Sequence, residues 1–135
     1  MVAEVLLRRT QASRVTRSFA ELVHRYPDPQ SLANADPAEL RAMFRSLGLV
    51  RKADQLQAAA SLITTRYHGR LPENLEGLLE IPGLGVYSAR AVLCMAFEWP
   101  VPMIDESSGR VLRRLLGLTT HEAAYRDREI GRAHV

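Results

Sequence analysis

The chain has 135 residues, 47% of them hydrophobic, and a formal net charge of +3; that is enough for one globular domain with its own core and too little for two ordinary ones. No apolar run approaches the roughly 20 residues needed to cross a bilayer, and Met1-Val2-Ala3-Glu4 lacks the basic and apolar regions of a signal peptide, so a cytoplasmic location without membrane contact is expected. A lone cysteine, Cys94, excludes an internal disulfide, and all 18 basic residues but Lys52 are arginines, a bias that suits phosphate recognition but also follows from a high-GC genome.

From Met1 to Tyr26 the apolar residues Val15, Phe19, Leu22, Val23 and Tyr26 fall at helical spacing and predict one buried stripe. Val2, Val5 and Leu6 form a separate patch upstream, so two helices or a break near Thr10 are expected. Tyr26-Pro27-Asp28-Pro29 is a stop signal, since each proline biases its predecessor away from helix. Asp36-Pro37-Ala38-Glu39 reads as a helix start, with Asp36 as N-cap and Glu39 where a capping-box acid belongs. Leu40, Met43, Phe44 and Leu47 supply its buried face, and Gly48 ends it.

A helix from about Val50 to Tyr67 carries Ala53, Leu56, Ala60, Ile63 and Tyr67 inward. His68-Gly69-Arg70-Leu71-Pro72 is a turn, and Leu75, Leu78 and Leu79 mark a short helix. Ser88 to Phe97 then forms a nearly all-apolar helix, which predicts burial almost all round, with Cys94 as a buried thiol. Glu98-Trp99-Pro100-Val101-Pro102 breaks it. A last helix, about Ser107 to Leu116, is expected to bury Val111, Leu112, Leu115 and Leu116 and to expose Arg110, Arg113 and Arg114. No segment alternates like a strand, and the fold class is all-α. The stretch Glu129 to Val135 has neither periodicity nor a cap and looks like translated sequencing-adapter DNA, so a domain spanning 1–128 and a non-native tail at 129–135 are expected.

Gly83 and Gly85 separate the short apolar helix from the long one. In Ile81-Pro82-Gly83-Leu84-Gly85-Val86 the pattern apolar-x-Gly-apolar-Gly between two helices resembles the helix-hairpin-helix, which implies glycine-freed backbone amides at the start of the second helix pointing at a DNA phosphate. An ordinary αα-turn with a glycine cap explains one of these glycines better than two. Such a grip on phosphate is independent of base sequence. Asp105 follows the long helix. An aspartate there is commonly an N-cap, but the buried helix and its proline turn would return the chain toward the hairpin end. A carboxylate so placed could stabilise the cation formed when a glycosidic bond breaks, or activate water against it.

Four blocks in order, Glu4-Val5-Leu6-Leu7-Arg8-Arg9-Thr10-Gln11, Leu47-Gly48-Leu49, the hairpin from Leu79 to Ala89, and Ile-Asp-x-x-x-x-Arg-Val-Leu-x-Arg, resemble the helix-hairpin-helix DNA glycosylases of the endonuclease III and adenine-DNA glycosylase superfamily. The resemblance runs from Ala3 to about Leu118. It implies an all-helical orthogonal bundle that flips a base out of double-stranded DNA before cleaving its N-glycosidic bond. It also implies a monomer associated with a bacterial or archaeal nucleoid.

On that resemblance Asp105 matches the catalytic aspartate. Tyr87 stands where bifunctional members carry a Schiff-base lysine, implying a monofunctional, water-using enzyme like those acting on G·T and G·U mismatches; as a plain residue it serves equally as packing. Gln11 and Leu49 match residues that fill the gap left by the flipped base and wedge into the stack. Glu4 matches the acid that protonates a leaving adenine, or is a solvated charge at a helix start. The DNA contacts are then Gly83, Leu84, Gly85, Val86, Ser88, Gln11 and Leu49. Mispaired thymine or uracil is the first substrate expected, and adenine opposite oxidised guanine the second.

Ser107 departs from the family's Asn or His two residues after the aspartate, and Gly109 interrupts a normally regular helix. The cysteines that hold [4Fe–4S] in many relatives would lie beyond this chain, so no metal site is expected within it and a cluster in a longer parent stays open. The chain is expected to be incomplete at both ends. A non-enzymatic helix-hairpin-helix module serving a repair or nuclease complex is the alternative, and a helical protein-interaction domain a third reading.

Overall fold

Seventeen-residue Val50–Arg66, α5, is the helix on which the others are assembled in the computed structural model. The structure describes residues 1–7, 12–45 and 49–117, and these contain eight helices and no strand. The other seven are α1 (Val2–Leu7), α2 (Ala12–Arg25), α3 (Pro29–Ala33), α4 (Pro37–Arg45), α6 (Leu75–Leu79), α7 (Val86–Phe97) and α8 (Glu106–Leu116). The all-α expectation is met, and α1 and α2 are separate helices as the two apolar patches require. Thr10, Gln11, Leu47 and Gly48 lie outside the described residues, as does the 129–135 tail.

On α5 the small residues Ala53, Ala59 and Ala60 alternate with Leu56 and Ile63, and all five are buried. Small side chains let neighbouring helices approach closely, and α3 and α4 pack on this face. Gln57 of α5 donates from Nε2 to the carbonyl of Ala35 at 2.7 Å, satisfying backbone just past α3. Phe44, Leu40 and Leu22 reach the same core from α4 and α2, each about 1% exposed or less. Burial of such a side chain stabilises the fold by about 1.5–3 kcal/mol.

The short α1 touches α2, α5 and α7 and lies at their junction. Val5 and Leu6 are buried there. Lys52 Nζ, from the first turn of α5, donates to the Leu6 carbonyl at 2.6 Å. A cation on the last carbonyls of a helix satisfies an acceptor with no partner inside the helix and complements its negative end.

Five expectations are corrected. Asp28-Pro29 is a start as well as a stop: Asp28 caps α3 through a bond from the Ser31 amide at 2.7 Å, a capping box that the Asp-Pro-x-Ser spacing encodes. Asp36 does cap α4, accepting from Ala38 N at 2.8 Å, but the Glu39 carboxylate goes to Arg25 at 2.7 Å. Val23 is 40% exposed; among the described side chains of the α2 stripe Leu22 is buried and Phe19 and Tyr26 are partly so, while the Val15 side chain lies outside the description. α7 begins two residues earlier than expected and is buried from Ser88 to Leu93, whereas Met95 near its end is 70% exposed. On α8 the apolar stripe is present but uncovered, with Val111 56%, Leu115 75% and Leu116 60% exposed and Leu112 also exposed. Spacing decides which face is apolar; cover has to come from another element, and among the described residues none lies over this face.

Candidate functional site

The hairpin is built from α6, a six-residue turn and α7. Asn74 caps α6, its side-chain oxygen accepting from Gly77 N at 2.8 Å. The turn closes by successive short-range bonds, from Ile81 N to the Leu78 carbonyl at 3.2 Å and from Leu84 N to the Ile81 carbonyl at 3.1 Å. Gly83 sits at φ +87°, a conformation that disfavours every residue with a Cβ. A Cβ there would also come within 3.3 Å of Val5 Cγ1 on α1, so the turn is pressed against the α1 junction.

Gly85 does not need to be glycine for its backbone, which is extended at φ −104° and ψ −179°. It is the N-cap of α7, and it brings no side chain to that end. The first helical bond runs from Ala89 N to the Gly85 carbonyl at 2.8 Å. The amides of Val86, Tyr87 and Ser88 precede it, in the positions that a helix cannot satisfy internally. Together with the positive end of the helix dipole they form a seat for an anion.

Two of the residues expected at this interface are placed differently. Leu84 is 8% exposed and belongs to the core, and its amide is used within the turn, so it offers an anion neither side chain nor N–H. Ser88 is 3% exposed, which leaves its hydroxyl inside the fold. Val86 and Tyr87 are exposed at 46% and 43%. Leu49 is half-buried against the core just before α5, and its carbonyl accepts from Lys52 N at 2.8 Å. Glu4 is half-buried on α1, next to Val5, and so on the helix that meets the hairpin turn.

Asp105 is the N-cap of α8, exposed and extended at φ −88° and ψ 178°. Its Oδ1 accepts from the Ser108 amide at 2.7 Å and from Ser108 Oγ at 2.7 Å, while its own amide donates to Ser108 Oγ at 2.9 Å. These bonds hold the carboxyl below the usual carboxylate range, the Ser108 amide contributing most and the Ser108 hydroxyl next, with a smaller pull from the Arg110 charge. Arg110 in turn donates to Ser107 Oγ at 3.3 Å. The sequence reading weighed Asp105 as cap against Asp105 as catalyst; its carboxylate does form the cap, and it stays exposed while doing so. Ser108 was passed over, although the Asp-x-x-Ser spacing is the one that closes the box on α3.

A second group that the sequence reading passed over lies at the hairpin's entry. Tyr67 Oη donates to Glu80 at 2.6 Å and Arg66 reaches the same carboxylate at 3.0 Å, joining the end of α5 to the residue before Ile81. The bond to Glu80 raises the Tyr67 pKa. No sequence signal marks this pair, because its members are 13 residues apart on different helices.

A [4Fe–4S] cluster takes four cysteine thiolates. These 135 residues hold one cysteine, half-buried on α7, and among the described residues no three His, Cys, Asp or Glu side chains converge. The residues present do not fit such a cluster. No helix among the described residues is long and apolar enough to cross a membrane.

An all-helical core in which a glycine turn joins two helices and leaves the start of the second without a side-chain cap is a helix-hairpin-helix arrangement. The chain matches the HhH-GPD superfamily of base excision DNA repair proteins over residues 2–132, and it belongs to that family. It is 42% identical over 119 residues to the thymine-DNA glycosylase of Aeropyrum pernix, covering 87% of this chain and 53% of that protein. It is 35% identical over 128 residues to the adenine DNA glycosylase of Mycolicibacterium smegmatis, covering 94% of this chain and 44% of the relative. Among solved structures, a non-covalent endonuclease III–DNA complex superposes with a TM-score of 0.77 at 28% identity, over 87% of this chain and 56% of that one. The chain thus spans about half the length of the relatives it matches.

Proposed function

We propose that this chain carries the site of a monofunctional DNA glycosylase that releases thymine or uracil mispaired with guanine. The observation that carries the reading is Asp105, an exposed carboxylate kept ionised at the start of α8, in a family chain whose glycine hairpin leaves the start of α7 uncapped. The amides of Val86, Tyr87 and Ser88 receive a DNA phosphate, and Gly83 gives the turn that aims them. With the target base flipped out, its N-glycosidic bond breaks and the bonding pair leaves with the base. The Asp105 carboxylate stabilises the cation left on the sugar, and water completes the hydrolysis at the same carbon.

Tyr87 stands in place of an amine nucleophile, and its exposed ring supports a place at the substrate. Similarity to a thymine-DNA glycosylase supports thymine and uracil first. Adenine opposite oxidised guanine is the second substrate: it draws on the similarity to an adenine DNA glycosylase and on Glu4, the neighbour on α1 of the Val5 that meets Gly83, as the acid that protonates the departing base. Gln11 and Leu49 fill the gap and wedge the stack. The protein is incubated with G·T, G·U and A·oxidised-G duplexes and abasic sites are counted. Release from the first two, lost in Asp105→Asn, is the expected result; salt-sensitive binding with no base release from any duplex would make the chain a binding module instead.

A further inference from the structure

Ser108 is engaged with Asp105 more fully than a helix cap requires. A capping box needs one bond from the N3 amide to the N-cap side chain and one from the N-cap amide to the N3 side chain. Both are present, at 2.7 and 2.9 Å, and the Ser108 hydroxyl adds a third contact by lying 2.7 Å from Asp105 Oδ1. The equivalent box at the start of α3 shows what capping alone looks like. There Asp28 accepts from the Ser31 amide at 2.7 Å, its own amide reaches Ser31 Oγ at a long 3.4 Å, and the Ser31 hydroxyl donates to the Asp28 carbonyl at 2.9 Å. In α8 the hydroxyl lies nearer the carboxylate, with the Asp105 carbonyl at 3.2 Å.

We infer that Ser108 is a positioning residue for Asp105: its amide and hydroxyl pin Oδ1, fixing the carboxylate plane so that Oδ2, which takes neither Ser108 bond, is the oxygen turned to substrate. The inference rests on the reading of Asp105 as the group that acts on the sugar. Its chemical content is a choice between the two roles open to that carboxylate. Two donors on Oδ1 stabilise the charge shared over the whole carboxylate and so make Oδ2 a weaker base as well, and the pinned Asp105 serves as a fixed negative charge against the sugar cation rather than as the acceptor of a proton from water. The depressed pKa of Asp105, caused first by the Ser108 amide and then by its hydroxyl, agrees with that choice. Arg110, one turn further along α8, adds its charge in the same direction.

The test separates this inference from the function on which it depends. The Asp105 carboxyl is titrated by carbon-detected NMR in the wild-type protein, in Ser108→Ala, and in Ser108→Thr, which restores the hydroxyl. Ser108→Ala is expected to move the Asp105 midpoint to higher pH and Ser108→Thr to return it toward wild type, with far-UV circular dichroism unchanged in all three. This readout needs no activity. An Asp105 midpoint that does not move in Ser108→Ala overturns the inference whatever the enzyme does. Base release is then followed against pH under single turnover. In Ser108→Ala the acid limb is expected to shift to higher pH, with the rate on that limb down on the order of threefold to tenfold and the alkaline plateau within about twofold. A uniform loss at all pH values that Ser108→Thr does not restore would show a structural role only. If Asp105→Asn leaves base release intact, the proposed function fails, and the NMR result still reports on Ser108.

Discussion

α7 and α8 start in the same way and end up doing opposite things. Each is preceded by one residue in extended conformation, Gly85 for α7 and Asp105 for α8. Gly85 has no side chain, so the positive end of α7 is left for a guest. Asp105 fills the positive end of α8 with its own carboxylate, and Ser108 closes the box around it. One helix start is an open anion seat and the other holds an anion of its own. In the proposed reaction the first takes a phosphate, and the second offers that built-in charge to the sugar. The difference between binding and chemistry thus comes down to the side chain at the N-cap.

The largest expected effect comes from removing the built-in charge without removing the cap. Asparagine caps a helix about as well as aspartate, so Asp105→Asn should leave the melting temperature nearly unchanged while single-turnover base release falls on the order of 100- to 1,000-fold. Next comes turning the open seat into a filled one. Gly85→Asp places a carboxylate at the extended N-cap of α7; it should cost on the order of tenfold in DNA affinity by titration, while stability rises by a few tenths of a kcal/mol. If affinity is untouched, the amides of Val86, Tyr87 and Ser88 are not the phosphate seat. The neighbouring glycine answers differently. Gly83→Ala forces a Cβ onto φ +87° and toward Val5, and it should destabilise the fold by about 1–2 kcal/mol in chemical denaturation.

The smallest effect is on pH. The Asp105 pKa is depressed in the folded chain, so its helix-start bonds contribute stability that is present above the usual carboxylate pKa and lost as pH falls through the depressed value. Loosening of the α8 start, followed by the Ser108 amide resonance, should therefore appear only below about pH 4 and should disappear in Asp105→Asn.

The hairpin was legible because its signal is local. A turn at positive φ selects glycine, and the apolar-x-Gly-apolar-Gly spacing records that selection at Gly83. It misleads at Gly85, where glycine stands in extended backbone and what matters is the missing side chain. The helices were legible for the same reason, with α5 fitting its periodic face at Ala53, Leu56, Ala60 and Ile63. Legibility failed where a property depends on a second element. The α8 stripe was correctly drawn and wrongly buried, and the tie between Tyr67 and Glu80 joins two helices that no spacing relates. Within the site, Asp105 was marked by its place after the buried helix and its proline turn, and the resemblance added a catalytic role. Ser108 needed only the Asp-x-x-Ser rule that also marks α3, and burial takes the whole of Leu84 and the hydroxyl of Ser88 away from the hairpin surface.

Lys52 is the single lysine in 135 residues, and its Nζ is spent on the carbonyl of Leu6. Acylation of lysine side chains is therefore a one-residue experiment. A reagent that consumes the amine competes with the bond between α5 and α1, so Nζ reacts from states in which that bond is open. The timing of that single modification reads the opening of the tie to the helix that carries Glu4 and meets Gly83, and a bound duplex that steadies the junction would slow it.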